Sequence, residues 1–193
     1  MTGDGAPPRR RQVRRALLVG ALLSAATGMP PSLAAVAGEY QVKAAYLSKF
    51  GNYVEWPGGL PAPGGEQKFE IGVVASEAVA DELAEAAKGQ LVAGRPIAVR
   101  RLAPGETLTG PGVVFVARTH SARAAETLAA VKGRPVLTVT ESEAAAASGS
   151  MINFVVVDDK VRFDIELGAV ERSPLRLSAR LLGVARAVKG KAL

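Results

Sequence analysis

Between residues 69 and 140 short apolar runs alternate with helix-patterned segments, and few architectures accept that order. Phe69 to Ala75 (FEIGVVA), Pro96 to Leu102 (PIAVRRL), Val113 to Ala117 (VVFVA) and Val136 to Thr140 (VLTVT) each have the length of one strand. Runs that are apolar on every residue suit strands covered on both faces. Glu77 to Lys88 reads as a helix with Ser76 as N-cap and Gly89 as its stop. A second helix is expected from Ser121, as cap, to Lys132, closed by Gly133. Strand–helix alternation of this kind predicts crossover units and a largely parallel sheet. The Arg100-Arg101 pair places the second strand towards a sheet edge.

The flanking segments complete the pattern. Glu39 to Tyr53 reads as a helix with Val42, Tyr46, Phe50 and Tyr53 on its apolar stripe. Glu39, Lys43, Ser48 and Asn52 then face solvent. Residues 57–66 are rich in Pro and Gly and predict a loop, and residues 141–150 are small and polar. Met151 to Val157 and Val161 to Leu167 flank Asp158-Asp159-Lys160, which predicts a β-hairpin. Ser173 to Lys189 reads as a last helix, with Ser173 as N-cap, Pro174 as N1 and Leu177, Leu181, Val184 and Val188 buried. The expected fold class is α/β: a three-layer sandwich with a mixed, mostly parallel sheet and a C-terminal β-hairpin followed by a helix.

The N-terminus has the three parts of an export signal. Arg9 to Arg11, Arg14 and Arg15 supply positive charge, and Ala16 to Ala26 an apolar run. Pro30-Pro31 precede the small residues Ala35-Val36-Ala37. Cleavage after Ala37 leaves Gly38 first; cleavage after Ala34 is the alternative. A spanning helix needs about 20 apolar residues, and this run stops short of the Gly28, Pro30 and Pro31 cluster. An uncleaved anchor is therefore the weaker reading. Arg14-Arg15 does not decide between the general and the twin-arginine route. The expected division is a signal peptide at 1–37 and one α/β domain at 38–193, in the periplasm.

Charge follows the same division. The chain holds 24 Lys plus Arg against 18 Asp plus Glu. Residues 1–37 contain five Arg and one Asp, so the rest holds 19 against 17, a net charge of +2. The basic balance belongs to the signal and makes no case for nucleic acid. There is no Cys and one His, His120. Thiolate chemistry and His-rich metal sites are excluded, and a nucleophilic triad would need His120. No phosphate loop, nucleophile elbow, zinc motif or dinucleotide fingerprint occurs. The chain reads as no enzyme, with no catalytic residues, no cofactor and no metal.

Four blocks then carry a resemblance. They are Val42-Lys43-Ala44-Ala45-Tyr46-Leu47 with Lys49-Phe50 and Val54-Glu55-Trp56-Pro57; Phe69 to Val74; Gly133 to Val139; and Gly149 to Phe154 through Val161 to Ile165 and on to Leu177 to Leu182. In this order and spacing the chain resembles the YfiR-like family of periplasmic regulatory proteins. The resemblance implies a regulator that binds the periplasmic part of a membrane-anchored diguanylate cyclase and restrains cyclic di-GMP signalling, and so biofilm formation. Glu166 stands where the family usually has Asn, and Pro174 where it has a small residue. The disulfide cysteines of some relatives have no counterpart.

Four residues stand out as partner or ligand candidates. Trp56 is the single Trp, beside Pro57 at a helix end, and Trp is enriched at binding hot spots. It suits a core aromatic equally well. Arg172, Arg176 and Arg180 recur at i, i+4 and i+8, a basic stripe if one helix runs through them. Asp158, Asp159, Asp164 and Glu166 lack a Ca²⁺-loop pattern. A periplasmic small-molecule-binding protein is the alternative function, with a pocket at the strand ends near Ala75, Arg118 and Thr140. A homodimer and a small-molecule ligand are both compatible with the sequence.

Overall fold

The computed structural model describes residues 33–61, 67–103, 106 and 110–190, with side chains from residue 38 onward. All but the last five residues of the expected signal at 1–37 lie outside the described residues, as do residues 62–66 of the loop at 57–66. Helix α1 spans Leu33–Asn52 and leads into a two-residue strand β1 (Val54–Glu55). Strand β2 (Phe69–Val74), helix α2 (Glu77–Ala87), β3 (Leu91–Val92), β4 (Arg95–Arg101) and β5 (Val113–Val116) follow. A 3-10 stretch (Arg118–Arg123) and α3 (Ala124–Ala130) lead to β6 (Leu137–Thr140) and α4 (Glu143–Ala147). The chain ends in β7 (Ile152–Val157), β8 (Lys160–Glu166), α5 (Leu167–Glu171), β9 (Arg176–Leu177), α6 (Ala179–Val184) and β10 (Ala187–Lys189).

Eight strands form one sheet in the order β10-β8-β7-β6-β5-β2-β4-β3. Only the β3–β4 and β7–β8 pairs are antiparallel. Alternation along the strands feeds two cores. Ile71, Val73, Phe115 and Val139 point to one, shared with Ala44 and Leu47 of α1 and Leu83 of α2. Val74, Val114, Val116 and Val136 point to the other, shared with Ala124 of α3 and Ala145 of α4. Helices thus cover both faces, which is the expected α/β sandwich. Five aromatic rings lock α1 onto the sheet: Tyr46, Phe50, Phe115, Phe154 and Phe163, with centroids 4.9–6.1 Å apart between neighbours. Each fully buried Phe contributes about 1.5–3 kcal/mol by area alone.

The local signals hold where chemistry fixes them. The Ser76 hydroxyl accepts from the N–H of Val79 and starts α2. Asp158 and Asp159 take φ of +49° and +56°, the left-handed pair that a two-residue hairpin turn needs.

Three helical expectations are corrected. The run from Ser121 to Lys132 is a 3-10 stretch and then α3, whose first turn has no side-chain cap. The expected helix from Ser173 to Lys189 is three elements, β9, α6 and β10. Ser173 closes α5 by donating to the carbonyl of Val170, and Ser178 is the residue that caps α6. Pairing explains the break: the Ser178 N–H donates to Tyr53 O, and the Arg186 N–H to Phe163 O. Two backbone bonds to distant segments override an amphipathic pattern. Of the expected buried stripe only Leu181 is buried, and Val184 and Val188 are exposed. The third correction is a missed helix, α4, which Ser142 caps through the N–H of Ala145.

Glu166 is the N-cap residue of α5 but makes no capping bond. Its carboxylate instead lies 3.5 Å from Lys189 on β10. Asp164, fully buried two residues earlier on the same face of the strand, accepts from Arg186 and pairs with Lys189. These ion pairs bind the last strand to β8.

Candidate functional site

Parallel pairing of β5 and β6 sets Val116 opposite Thr140. The residues just beyond, Arg118 and Glu141, therefore meet at the C-terminal ends of neighbouring strands. Glu141 is 4% exposed and both of its carboxylate oxygens accept hydrogen bonds. Oε1 accepts from the Arg118 backbone N–H at 2.5 Å and from the Tyr40 hydroxyl at 2.9 Å. Oε2 accepts from the Lys43 ammonium. Lys43 is 0% exposed, also pairs with Glu39, and sits 4.6 Å from the centroid of the Tyr40 ring. The Arg118 guanidinium closes the circuit on Glu39 at 3.1 Å. Two carboxylates and two cations balance, as buried charge requires. Burial first, then the Glu141 carboxylate, pushes the Tyr40 phenol well above its ordinary value of 10.0.

This cluster corrects the expected orientation of α1. The sequence pattern places Lys43 and Ser48 towards solvent, yet both are buried, while Val42 is 44% exposed. The inward face is Tyr40, Lys43, Ala44, Leu47 and Phe50. The sequence shows only an i, i+4 Glu39–Lys43 pair, a spacing equally at home on a solvated face. Its third member, Glu141, lies 98 residues from Lys43 and is invisible to local pattern.

Val42 instead faces an open groove of about 720 Å³ between α1 and the tip of the β7–β8 hairpin. Its apolar floor is Val42, Tyr46, Val156 and Val161; Arg118, Lys160 and Arg162 stand with Glu39 and Asp159 at its rim. Val156 is 46% exposed. Lys160 and Arg162 are exposed and make no ion pair with a described residue. Large apolar side chains left open beside unpaired cations are a feature of contact surfaces.

The strand-end pocket anticipated near Ala75, Arg118 and Thr140 is closed. Ala75, Ala117 and Thr140 are buried, and the Arg118 N–H that an anion would use there is taken by Glu141. His120 is half-buried and its Nδ1 lies 3.0 Å from the Thr119 hydroxyl, with no carboxylate bonded to the ring. Among the described residues no three His, Asp or Glu side chains could hold a metal ion.

The four residues singled out in the sequence fall in two places. Trp56 is half-buried; its indole N–H donates to Gly51 O at 3.1 Å and its ring meets Phe69 edge-on at 5.6 Å. It anchors the end of α1. Arg176 pairs with Glu55 in the β1–β9 ladder, and Arg180 lies 6.0 Å from the Tyr53 ring centroid. Trp56, Arg176 and Arg180 thus share one corner, joined by strand pairing rather than by a helix. Arg172 caps the end of α5, so the expected stripe does not form.

Fold and site together describe a mixed-sheet α/β domain whose strand ends are sealed by its own side chains. A family model described as YfiR/HmsC-like matches residues 40–186, and the chain belongs to that family. Membership implies a role as a regulator of a diguanylate cyclase, and the family is regulatory rather than catalytic. No curated protein matches the chain. No described helix is long and apolar enough to cross a membrane.

Proposed function

We propose that this chain is an exported periplasmic regulator that binds the periplasmic part of a membrane-anchored diguanylate cyclase and lowers cyclic di-GMP synthesis. The family match over residues 40–186 is the observation that carries the reading. The α1–hairpin groove is the proposed contact surface, with an apolar floor for a partner side chain and Lys160 and Arg162 for its acidic flank. Arg176 and Arg180 at the β1–β9 corner, both exposed, are a further proposed contact. A cytoplasmic nucleotide signal is reached from the periplasm only through a spanning partner, which fits this mode.

The test is deletion and complementation in cells that express a membrane cyclase with a periplasmic domain. Deletion should raise cyclic di-GMP and biofilm, and the wild-type chain should restore both. Val42→Asp with Val156→Asp, on exposed positions, should fold normally and fail to restore them. Unchanged cyclic di-GMP on deletion, with the cyclase present, would refute the reading. N-terminal sequencing of the periplasmic form tests export: a start at Gly38 or Ala35 is expected.

A further inference from the structure

We infer that the cavity between the end of α3 and α5 binds a small organic anion. The cavity holds about 380 Å³ and has an apolar floor that includes Leu128, Val131 and Met151. Lys132, Arg134 and Arg172 line it, and no carboxylate does. The contrast with the neighbouring surfaces is one of sign. The α1–hairpin groove mixes Glu39 and Asp159 with its cations, and the hollow on the other side of Arg172 is lined by Glu143 and Glu166 as well as Lys189.

Lys132 and Arg172 make no hydrogen bond or ion pair through their side chains with a described residue. Arg172 lies back over α5, its Nη1 3.4 Å from where a Cβ on Gly168 would stand, ordinary van der Waals contact. Cations after a helix C-terminus are favourable on their own account. That explains one cation for each of two helix ends, but not the exclusion of carboxylates from the space between them. An apolar floor under Lys132 and Arg172 selects a ligand with both characters: a carboxylate or phosphate monoester on a hydrocarbon or ring. The volume lies at the low end for ligand pockets and suits a single-ring molecule. This site is separate from the groove proposed for the protein partner and does not depend on that proposal.

Calorimetric titration of the intact domain with benzoate, phenyl phosphate and benzyl alcohol tests the inference. At least one of the two anions should bind with millimolar or tighter Kd, more weakly as salt is raised, and neutral benzyl alcohol should not. Which anion binds more tightly distinguishes a carboxylate site from a phosphate site. Lys132→Ala with Arg172→Ala should weaken binding by about tenfold or more while leaving the unliganded melting temperature in place. Arg172→Lys alone should retain part of the affinity. Amide shifts on binding should centre on Gly133 and Gly149. The inference is overturned if neither anion binds, if benzyl alcohol binds as tightly as the better of the two anions, or if the double variant titrates like the wild type.

Discussion

Lys43 and Glu141, 98 residues apart, form a buried ion pair that ties the first helix to the C-terminal end of β6. The two side chains are 0% and 1% exposed. Such a pair is weak evidence for net stability, because desolvation offsets most of the attraction. Removing one member is another matter. Lys43→Met leaves Glu141 buried with its hydroxyl and amide donors but no cation, and should cost about 3–5 kcal/mol in urea unfolding. Adding Glu141→Gln to that variant should recover a large part of the loss. Equal stability of Lys43→Met and wild type would show that the carboxylate is better solvated than its burial indicates.

Tyr40 gives the same cluster a signature at alkaline pH. Its folded-state pKa is raised above the ordinary value of 10.0, by burial and then by Glu141. The folded state therefore keeps the phenol proton that the unfolded chain loses. The associated stability is full below pH 10 and declines as pH rises beyond it. Melting temperature should fall more steeply between pH 9.5 and 11 in wild type than in Tyr40→Phe. Tyr40→Phe should itself cost about 1 kcal/mol at neutral pH by removing one hydrogen bond to Glu141.

Asp164 gives a signature of opposite sign. Hydrogen bonding from Arg186, then from Lys189, holds its carboxyl below the ordinary 3.8 despite burial. Its contribution is present above the unfolded value and is lost as pH falls from about 4 towards the depressed folded value. Asp164→Asn should flatten the acid limb of the stability profile. Amide exchange in β10 should rise in that variant, since Arg186 and Lys189 lose the anion that holds the strand to β8.

Packing makes a third kind of prediction. A Cβ on Gly112 would lie 2.4 Å from Cε2 of Phe69, a ring that is itself fully buried and meets Trp56. The ring cannot retreat without disturbing the Trp56 anchor at the end of α1. Gly112→Ala should cost about 1–3 kcal/mol, the range for overpacking. Gly183, inside α6 with nothing within 4 Å of its Cβ position, should show the reverse: Gly183→Ala gains about 0.4–1 kcal/mol through the unfolded chain.

The parts of this fold that a local pattern controls were readable in the sequence. The four apolar strands, the Ser76 cap and the Asp158-Asp159 turn depend on neighbours within a few residues. The C-terminal segment does not. Leu177, Leu181, Val184 and Val188 carry a helical period, but Tyr53 O and Phe163 O draw the chain into two strands. Lys43 is the same lesson at the site. A lysine on an amphipathic helix is read as solvent-facing unless its partner is known, and Glu141 reaches it only through the order of the sheet. Three of the four residues first singled out did fall at one corner, though strand pairing rather than helical spacing brought them there.

Arg118 separates the structural and the functional parts of the α1 cluster. Its backbone N–H serves Glu141 and survives any substitution except proline, whereas its guanidinium, 56% exposed, lies on the groove and pairs with Glu39 from the solvent side. Arg118→Ala should change stability by less than about 1 kcal/mol, the range for exposed ion pairs. Under the proposed partner mode it should still weaken repression of the cyclase, because it removes one of the cations at the groove rim. Arg118→Glu should weaken it further, by placing a like charge beside Glu39 and opposite an acidic partner flank. Lys43→Met should impair both stability and repression, since α1 forms one wall of the groove. Stability by urea unfolding and cyclic di-GMP in complemented cells give the two readouts. If Arg118→Glu represses as well as wild type while Val42→Asp does not, the partner contacts the apolar floor alone and the basic rim has no part in recognition.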